Sequence, residues 1–189
     1  ESTRDLADCE TVCIDFSKAD NGTILNHGDY VKDEWFKDYG MRIDTSTTRR
    51  GGYTPNGVAR IYDISKKGED PDLGSPNRMC GGHGVGAGGE PEGAGPNCNP
   101  NGEENVLIIQ EADMREPDDN AQGGIMKCSF TCPVHKLRLI GLMDVDVGEQ
   151  PFFEVFTEGG VAPTIQKIVG KGVNSIQRRI SMASRMSIK

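Results

Sequence analysis

The chain has 189 residues, of which 26% are charged and 35% hydrophobic, with 25 glycines and 10 prolines. This length suits one domain with a sizeable core and is too short for two, and the glycine and proline content favours a turn-rich all-β domain over a helical bundle. The formal charge of −8 argues against binding of nucleic acid or anionic membranes, and no run of 18 apolar residues could form a transmembrane helix.

Short segments with alternating apolar and polar residues recur along the chain between turn residues. Val12, Ile14 and Phe16 give one example, and this period of two is typical of half-buried β-strands. A short helix is predicted at 33–37. Together the segments predict one antiparallel β-sandwich of the jelly-roll type over residues 1–189. The predicted strands are 11–16, 39–44, 58–64, 105–110, 124–131, 136–144, 152–157, 164–169, 175–181 and 185–189.

Residues 65–104 have the composition of a long irregular insertion. Nine glycines and three prolines lie between Cys80 and Gly102, and such a segment has few means of packing by itself. The glycine pattern at 84–89 matches a dinucleotide-binding loop, but it neither follows a predicted strand nor opens a helix. We therefore interpret it as low complexity and expect a disulfide between Cys80 and Cys98 to close the insertion. Because the last predicted strand reaches residue 189, we also expect the full protein to continue beyond it.

Six cysteines indicate three disulfides and an oxidising compartment. Cys9 and Cys13 are four residues apart, and so are Cys128 and Cys132. This spacing places both members of each pair on one face of a strand, so two neighbouring strands could be cross-bridged twice. Zinc binding is the alternative, but these spacings lack the two-residue separation of zinc knuckles. An N-glycosylation sequon at Asn21 adds to the prediction of a secreted or cell-surface protein, with another oxidising lumen as the alternative.

Acidic residues concentrate where predicted strands end and turns begin. Ca²⁺ needs roughly six to eight oxygen ligands, and clustered carboxylates can supply them. The alternative is that aspartate and asparagine occur here because they form turns. The first 165 residues carry a formal charge of −14, so clustering of carboxylates would be unfavourable without a cation. The predicted Ca²⁺ ligands are Asp70, Asp72, Glu111, Asp118, Asp119 and Asp144.

Aromatic residues are the second candidate site, because sandwich domains bind sugars by stacking rings on them. The clustered candidates are Trp35, Tyr30, Tyr39 and Tyr53, of which some must belong to the core. Aromatic residues make up only 6% of the chain, which weakens a glycan-binding prediction. The three histidines have no partner at a catalytic spacing and no Gly-x-Ser-x-Gly motif occurs, so the sequence predicts a non-enzymatic protein.

Six motifs follow one another along the chain: GVARIYD at 57–63, DPDLGSP at 70–76, NVLIIQE at 105–111, PDDN at 117–120, IGLMDVD at 140–146 and GVNSIQ at 172–177. In this order they resemble a family of secreted β-sandwich proteins abundant in diatoms, which is related to domains of bacterial exosortase-sorted (PEP-CTERM) surface proteins. The resemblance covers roughly residues 11–189 and implies a jelly-roll fold and an extracellular location, but little about activity. The chain departs from the family in stopping before its usual ending and in its basic final segment.

The sequence therefore predicts a non-enzymatic, Ca²⁺-supported extracellular domain with a structural or adhesive role and with glycan binding as a further capacity. A structural subunit of a larger surface, filament or lumenal assembly is the alternative, and a polysaccharide-acting enzyme is the third interpretation. The expected partners are other protein subunits or a polysaccharide, without nucleic acid or membrane insertion. Residues 166–189 hold six basic and no acidic residues, so we expect them to form the contact, unless they neutralise the protein's own acidic surface.

Overall fold

The protein is built mainly of antiparallel strands. The computed structural model describes residues 11–49, 52–57, 59–68, 70–86, 98, 105–111, 115–131, 134–137, 140–156, 162–179 and 182–186. Strands predominate over helices among these residues, which confirms the all-β class, and no helix within them has the length and apolarity to cross a membrane. The elements are β1 (Tyr30–Val31), α1 (Phe36–Tyr39), β2 (Met41–Arg49), β3 (Gly52–Gly57), β4 (Ala59–Asp63), β5 (Asn105–Ile109), β6 (Gly124–Phe130), β7 (Val134–Leu137), β8 (Ile140–Met143), β9 (Phe152–Val155), β10 (Thr164–Lys167), β11 (Ile176–Arg179) and β12 (Met182–Met186).

Two three-stranded antiparallel sheets contain the first six strands. The order in one sheet is β3-β2-β6, and its β2–β6 register runs from Met41 opposite Phe130 to Thr47 opposite Gly124. The order in the other sheet is β1-β4-β5, so β4 is its central strand. Side chains of both sheets meet in one apolar cluster, which we call the main core.

Strand β4 is buried on both faces. Because alternate side chains of a strand point to opposite faces, Ala59 and Ile61 reach the main core while Tyr62 reaches a second cluster on the other side. Ile61 and Tyr62 are both 0% exposed. The main core consists of Leu25, Val31, Trp35, Met41, Ile43, Ala59 and Ile61, and the second cluster of Tyr62, Ile64, Leu73 and Ile108.

The last six strands form three antiparallel pairs, β7–β12, β8–β11 and β9–β10. The basic segment 166–189 supplies β11, β12 and the end of β10. The pairs β7–β12 and β8–β11 share one register, with Leu137 opposite Met182 and Ile140 opposite Arg179, and within the described residues the sheets do not close into a barrel. The jelly-roll arrangement therefore stays a prediction.

The predicted strand at 11–16 is wrong. The carboxylate of Asp15 accepts hydrogen bonds from the backbone N–H and the hydroxyl of Ser17, at 3.0 and 2.6 Å, and Phe16 has a left-handed φ of 61°. This local turn competes with strand pairing, because a short polar side chain satisfies the backbone that a neighbouring strand would otherwise bind.

The predicted strand at 136–144 corresponds to β7 and β8, which lie on either side of residues 138–139, outside the described part, and which share one register against β12 and β11: Leu137 lies opposite Met182 and Ile140 opposite Arg179. Two further differences concern other elements. Strands β1 and β3 were not predicted, because β1 has only two residues and β3 contains glycines and a proline in place of apolar alternation. Helix α1 begins three residues after the predicted helix. The remaining predicted strands lie within a few residues of β2, β4, β5, β6, β9, β10, β11 and β12.

The glycine-rich segment is packed in the part that the structure describes. Two 3-10 helices, Pro71–Leu73 and Arg78–Cys80, follow β4, and Asn77 between them is 0% exposed. A Cβ atom at Gly84 would overlap the carbonyl oxygen of Gly74, so the backbones approach too closely for any side chain. Residues 70–86 are therefore packed, whereas positions 87–89 of the glycine pattern lie outside the described residues.

Candidate metal centre

Three aspartates converge at one end of the second sheet. Asp70 precedes the first 3-10 helix, and Asp118 and Asp119 lie in the turn after β5. One carboxylate oxygen from each lies within 4.8 Å of the other two. Asp70 is 5% exposed and the other two are half-buried, so the three carboxylates form a partly enclosed oxygen cluster.

Backbone contacts fix this cluster. The backbone N–H of Asp119 donates to Asp70 Oδ2 at 3.4 Å, and the buried hydroxyl of Tyr62 donates to the Asp70 carbonyl at 2.8 Å. Gln110 Oε1 accepts from the backbone N–H of Asp118 at 3.2 Å. Two segments that are distant in sequence are therefore joined through strands β4 and β5.

Asn174 links Asp72 to Asp144, two predicted ligands that lie outside the three-residue cluster. The buried side chain of Asn174 donates to the carbonyl oxygens of Asp72, at 2.5 Å, and Gly74, at 2.7 Å, and it accepts from the Asn77 amide at 2.8 Å. Its backbone N–H donates to Asp144 Oδ1 at 2.6 Å. Asn174 thus ties the segment after β4 to the ends of β8 and β11.

The electrostatics of the site show that these carboxylates act on one another. Burial raises the pKa of Asp70 and of Asp144 to about 6 and that of Asp72 to about 7. The negative charge of Asp70 further raises the pKa of Asp72, and Asp72 does the same to Asp144. The pKa of Asp119 is also raised, first by burial and then by Asp72, Asp144 and Asp118. The protein therefore concentrates negative charge where water solvates it poorly, which disfavours the ionised state unless a cation is bound.

One carboxylate oxygen of the site has no hydrogen-bond donor. Among the described residues, buried side-chain atoms without a partner are Asp72 Oδ1, His83 Nε2 and Ser175 Oγ. Besides burial, the negative charge of Asp70 raises the pKa of Asp72, so this oxygen lies in the electrostatic field of the acidic cluster. An unpartnered carboxylate oxygen fits a hard cation, because Ca²⁺ takes oxygen ligands almost exclusively.

The structure brings three of the six predicted ligands, Asp70, Asp118 and Asp119, into direct proximity. Asp72 and Asp144 lie outside this group, although burial and then their charges raise the pKa of Asp119. Glu111 donates its backbone N–H to the Asp118 carbonyl at 2.9 Å, and its carboxylate is not part of the group. Gln110 contacts the turn through its side-chain amide, whereas Glu111 contacts it through its backbone.

Sequence reasoning missed the role of Asn174 and Asn77. Both are 0% exposed, and Asn174 has a φ of 60°, a left-handed conformation that asparagine tolerates better than most residues. The available signal was the polar pair Asn174-Ser175 inside an otherwise strand-like segment.

The four aromatic candidates do not share one exposed surface. Trp35 is 1% exposed and its indole N–H donates to a backbone carbonyl at 2.8 Å, so the prediction that it stacks on a ligand is wrong. Tyr39 packs half-buried against the same main core. Tyr30 is 55% exposed, but the Arg60 guanidinium lies 4.6 Å from the centre of its ring. The side chain of Tyr53 lies outside the described part of the structure.

The predicted disulfide between Cys80 and Cys98 is confirmed, with Cα atoms 5.3 Å apart. Cys13 and Cys128 are free thiols, so the prediction that they take part in cross-bridges is wrong. The assumption behind it fails because Cys13 does not lie on a strand beside β6. The two cysteines that fall outside the described residues are Cys9 and Cys132.

Two features bear on the compartment of the protein. The disulfide fits a location outside the reducing cytosol. Asn21 is exposed in a turn, where its side chain accepts a hydrogen bond from the backbone N–H of Thr23 at 2.9 Å. Secretion and glycosylation at Asn21 stay predictions.

Comparison with known protein families gives no match, and neither the curated proteins nor the solved structures contain a significant match. The resemblance to secreted diatom proteins therefore stays a prediction from the six motifs. The function must be argued from the geometry of the acidic cluster.

Proposed function

We propose that the protein is an extracellular structural or adhesive domain whose loops are held in place by bound Ca²⁺. The observation that carries this proposal is the convergence of Asp70, Asp118 and Asp119 within 4.8 Å. In this proposal the two three-stranded sheets are the layers of a jelly-roll sandwich, and the cation joins the loops at one end. Its partners are other subunits of a surface, filament or lumenal assembly, or a polysaccharide.

The chemistry of the cluster favours Ca²⁺ over other common metal ions. All ligands in the group are carboxylates, which suit hard cations, whereas Zn²⁺ sites use histidine and cysteine. The carboxylates come from a helical turn and a loop, and Ca²⁺ tolerates such irregular geometry better than Mg²⁺, which demands a near-ideal octahedron.

A cation at this position would stabilise the folded state. It would bind residues that come together only when β4 and β5 pair, so its binding energy would add to the free energy of unfolding. It would also offset the repulsion among carboxylates whose pKa values are raised. Such loop fixation is useful to a domain that acts through its surface.

Calorimetric titration with Ca²⁺ and thermal melts in Ca²⁺ or in chelator test this proposal. At a Ca²⁺ concentration about 100 times the Kd, we expect a gain of about 2.7 kcal/mol and a Tm increase of roughly 5–11 °C. Asp119→Asn should weaken Ca²⁺ binding at least about tenfold, since it removes one charged ligand. The same variant should melt higher than the parent in chelator, because it relieves repulsion.

Asp38→Asn is the matched control, because Asp38 is an exposed aspartate of α1, outside the cluster. This variant should bind Ca²⁺ like the parent. Absence of binding heat together with equal melts in Ca²⁺ and chelator would refute the proposal. So would an Asp119→Asn variant that binds Ca²⁺ with unchanged affinity.

A further inference from the structure

The hairpin of β9 and β10 exposes an apolar face. The register places Glu154 opposite Ile165 and Phe152 opposite Lys167. Because side chains alternate along a strand, these four residues point to the same side as the residues two positions further along each strand. We call this surface the outer face, and its residues are Phe152, Glu154, Phe156, Ile165, Lys167 and Val169.

The apolar residues of the outer face are more than half exposed. The exposed fractions are 58% for Phe152, 60% for Phe156, 56% for Ile165 and 71% for Val169. Together they form an apolar patch on the order of a few hundred Å², which monomeric proteins seldom leave uncovered unless it has a function.

The opposite face of the hairpin is packed, so the exposure does not come from a detached hairpin. Val155 is 7% exposed and Ile168 is 6% exposed. The backbone N–H of Ile168 donates to the Pro151 carbonyl at 2.8 Å, and the backbone N–H of Lys171 donates to the Val145 carbonyl at 2.9 Å. The hairpin is therefore anchored on one side and open on the other.

We propose that a second copy of this chain covers the outer face and forms a two-fold symmetric dimer. Glu154 and Lys167 are the two charged residues of the face, both are exposed, and neither forms an ion pair within the described part of the chain. Glu154 lies on β9 opposite Ile165, and Lys167 lies two residues beyond Ile165 on β10, so the two charges are diagonal to each other across the hairpin. A surface with one charge of each sign among apolar residues is complementary to itself.

The geometry of a strand pair supports this arrangement. Neighbouring strands are about 4.8 Å apart, and residues i and i+2 of one strand are about 6.7 Å apart. A two-fold axis that lies in the plane of the face can therefore exchange the positions of Glu154 and Lys167. Glu154 then meets the partner's Lys167, and Lys167 meets the partner's Glu154. Phe152 and Ile165 lie near the axis and contact their own copies, and the strands of the two hairpins cross at a steep angle, as in orthogonal sheet packing.

The expected dimer is weak. The apolar patch and its two charged residues approach the lower limit of specific interfaces, which bury about 600 Å² per partner. We therefore expect concentration-dependent association, with a monomer at low micromolar concentration and a dimer at several hundred micromolar. This association does not depend on the proposed cation site, so it should occur in chelator as well as in Ca²⁺.

Sedimentation velocity over a range of concentrations tests the dimer. Glu154→Lys and Lys167→Glu each place like charges at both ion pairs, and each should weaken dimerisation at least about tenfold. The double variant E154K/K167E restores opposite charges and should recover the parent's association. Phe156→Ser should also weaken association, and Ile24→Ser, which changes an exposed apolar residue elsewhere, should not.

Thermal melts show whether each variant is folded before association is compared. A parent protein that stays monomeric near 1 mM would overturn the proposal, and so would association into open-ended oligomers, which a closed two-fold interface excludes. A double variant as weakly associated as the single variants would also contradict it, because the charge pairing would then be incorrect.

Discussion

Asn174→Ala should be strongly destabilising, because Asn174 connects three chain segments from a fully buried position. The substitution removes two hydrogen bonds donated to the carbonyls of Asp72 and Gly74 and one accepted from the Asn77 amide. All three partners then lose a bond inside the protein, where water does not replace it.

The expected magnitude follows from these contacts. A buried polar group left without a partner costs about 1–3 kcal/mol. Alanine also tolerates the left-handed φ of 60° less well than asparagine, which adds roughly 1 kcal/mol. Since Asn77 also donates to the Gly86 carbonyl at 3.0 Å, its amide is only partly unsatisfied. We expect a total loss of about 4 kcal/mol, which corresponds to a Tm decrease of roughly 8–16 °C for a chain of this size.

Urea unfolding and thermal melts measure the loss, and two control variants separate its causes. Asn174→Gly removes the same hydrogen bonds but accepts the left-handed φ, so it should lose about 1 kcal/mol less than Asn174→Ala. Asn26→Ala, at an exposed asparagine, should change stability by less than about 0.5 kcal/mol. An Asn174→Ala protein that melts within about 2 °C of the parent would refute the assignment of Asn174 as a structural connection.

Two further predictions concern protonation and the disulfide. Because the folded pKa values of Asp70, Asp72 and Asp144 lie above the ordinary value of 3.8, the folded state binds more protons than the unfolded state between about pH 4 and pH 7. In chelator, the stability of the protein should therefore fall as the pH rises through this range. Saturating Ca²⁺ should reduce or abolish the fall, as melts at pH 5 and pH 8 would show. Cys80→Ser should lower stability by about 3 kcal/mol, because the disulfide closes a loop with a sequence separation of 18, whereas Cys13→Ser, which changes a free thiol, should leave the unfolding midpoint close to that of the parent.

Local sequence patterns predicted the strands that depend on burial. Strand β5 carries a continuous apolar run and β4 carries the buried residues Ile61 and Tyr62, and the structure pairs the two strands over five residues each. The segment at 11–16 had a clearer alternation, yet it forms no strand, since the chain turns at Asp15–Ser17 and Phe16 takes a left-handed φ of 61°. Strand β3 shows the reverse, because its pairing with β2 comes from the neighbouring strand and not from its own composition.

The candidate site could be predicted because its residues lie in turns at strand ends. Asp70 and Asp119 are separated by 49 residues, and antiparallel pairing places the end of β4 opposite the start of β5. The course of the segment after β4, and not the strand pairing alone, therefore brings Asp70 to Asp119, and the sequence pattern does not give that course. The error at Trp35 has a different origin. The burial of Trp35 depends on which face the residue takes after the chain turns, and sequence alternation alone does not determine this.

The position of β4 between the main core and the second cluster has a consequence for how the protein opens. A strand that contributes side chains to both clusters cannot leave one without disrupting the other, so the two should open as one cooperative unit. The amide protons of Ile61 and Tyr62 should then exchange with solvent only through near-global unfolding. A ligand that binds near Asp70 would slow this exchange on both sides of the strand, and distant residues such as Ile43 would report its binding without touching it.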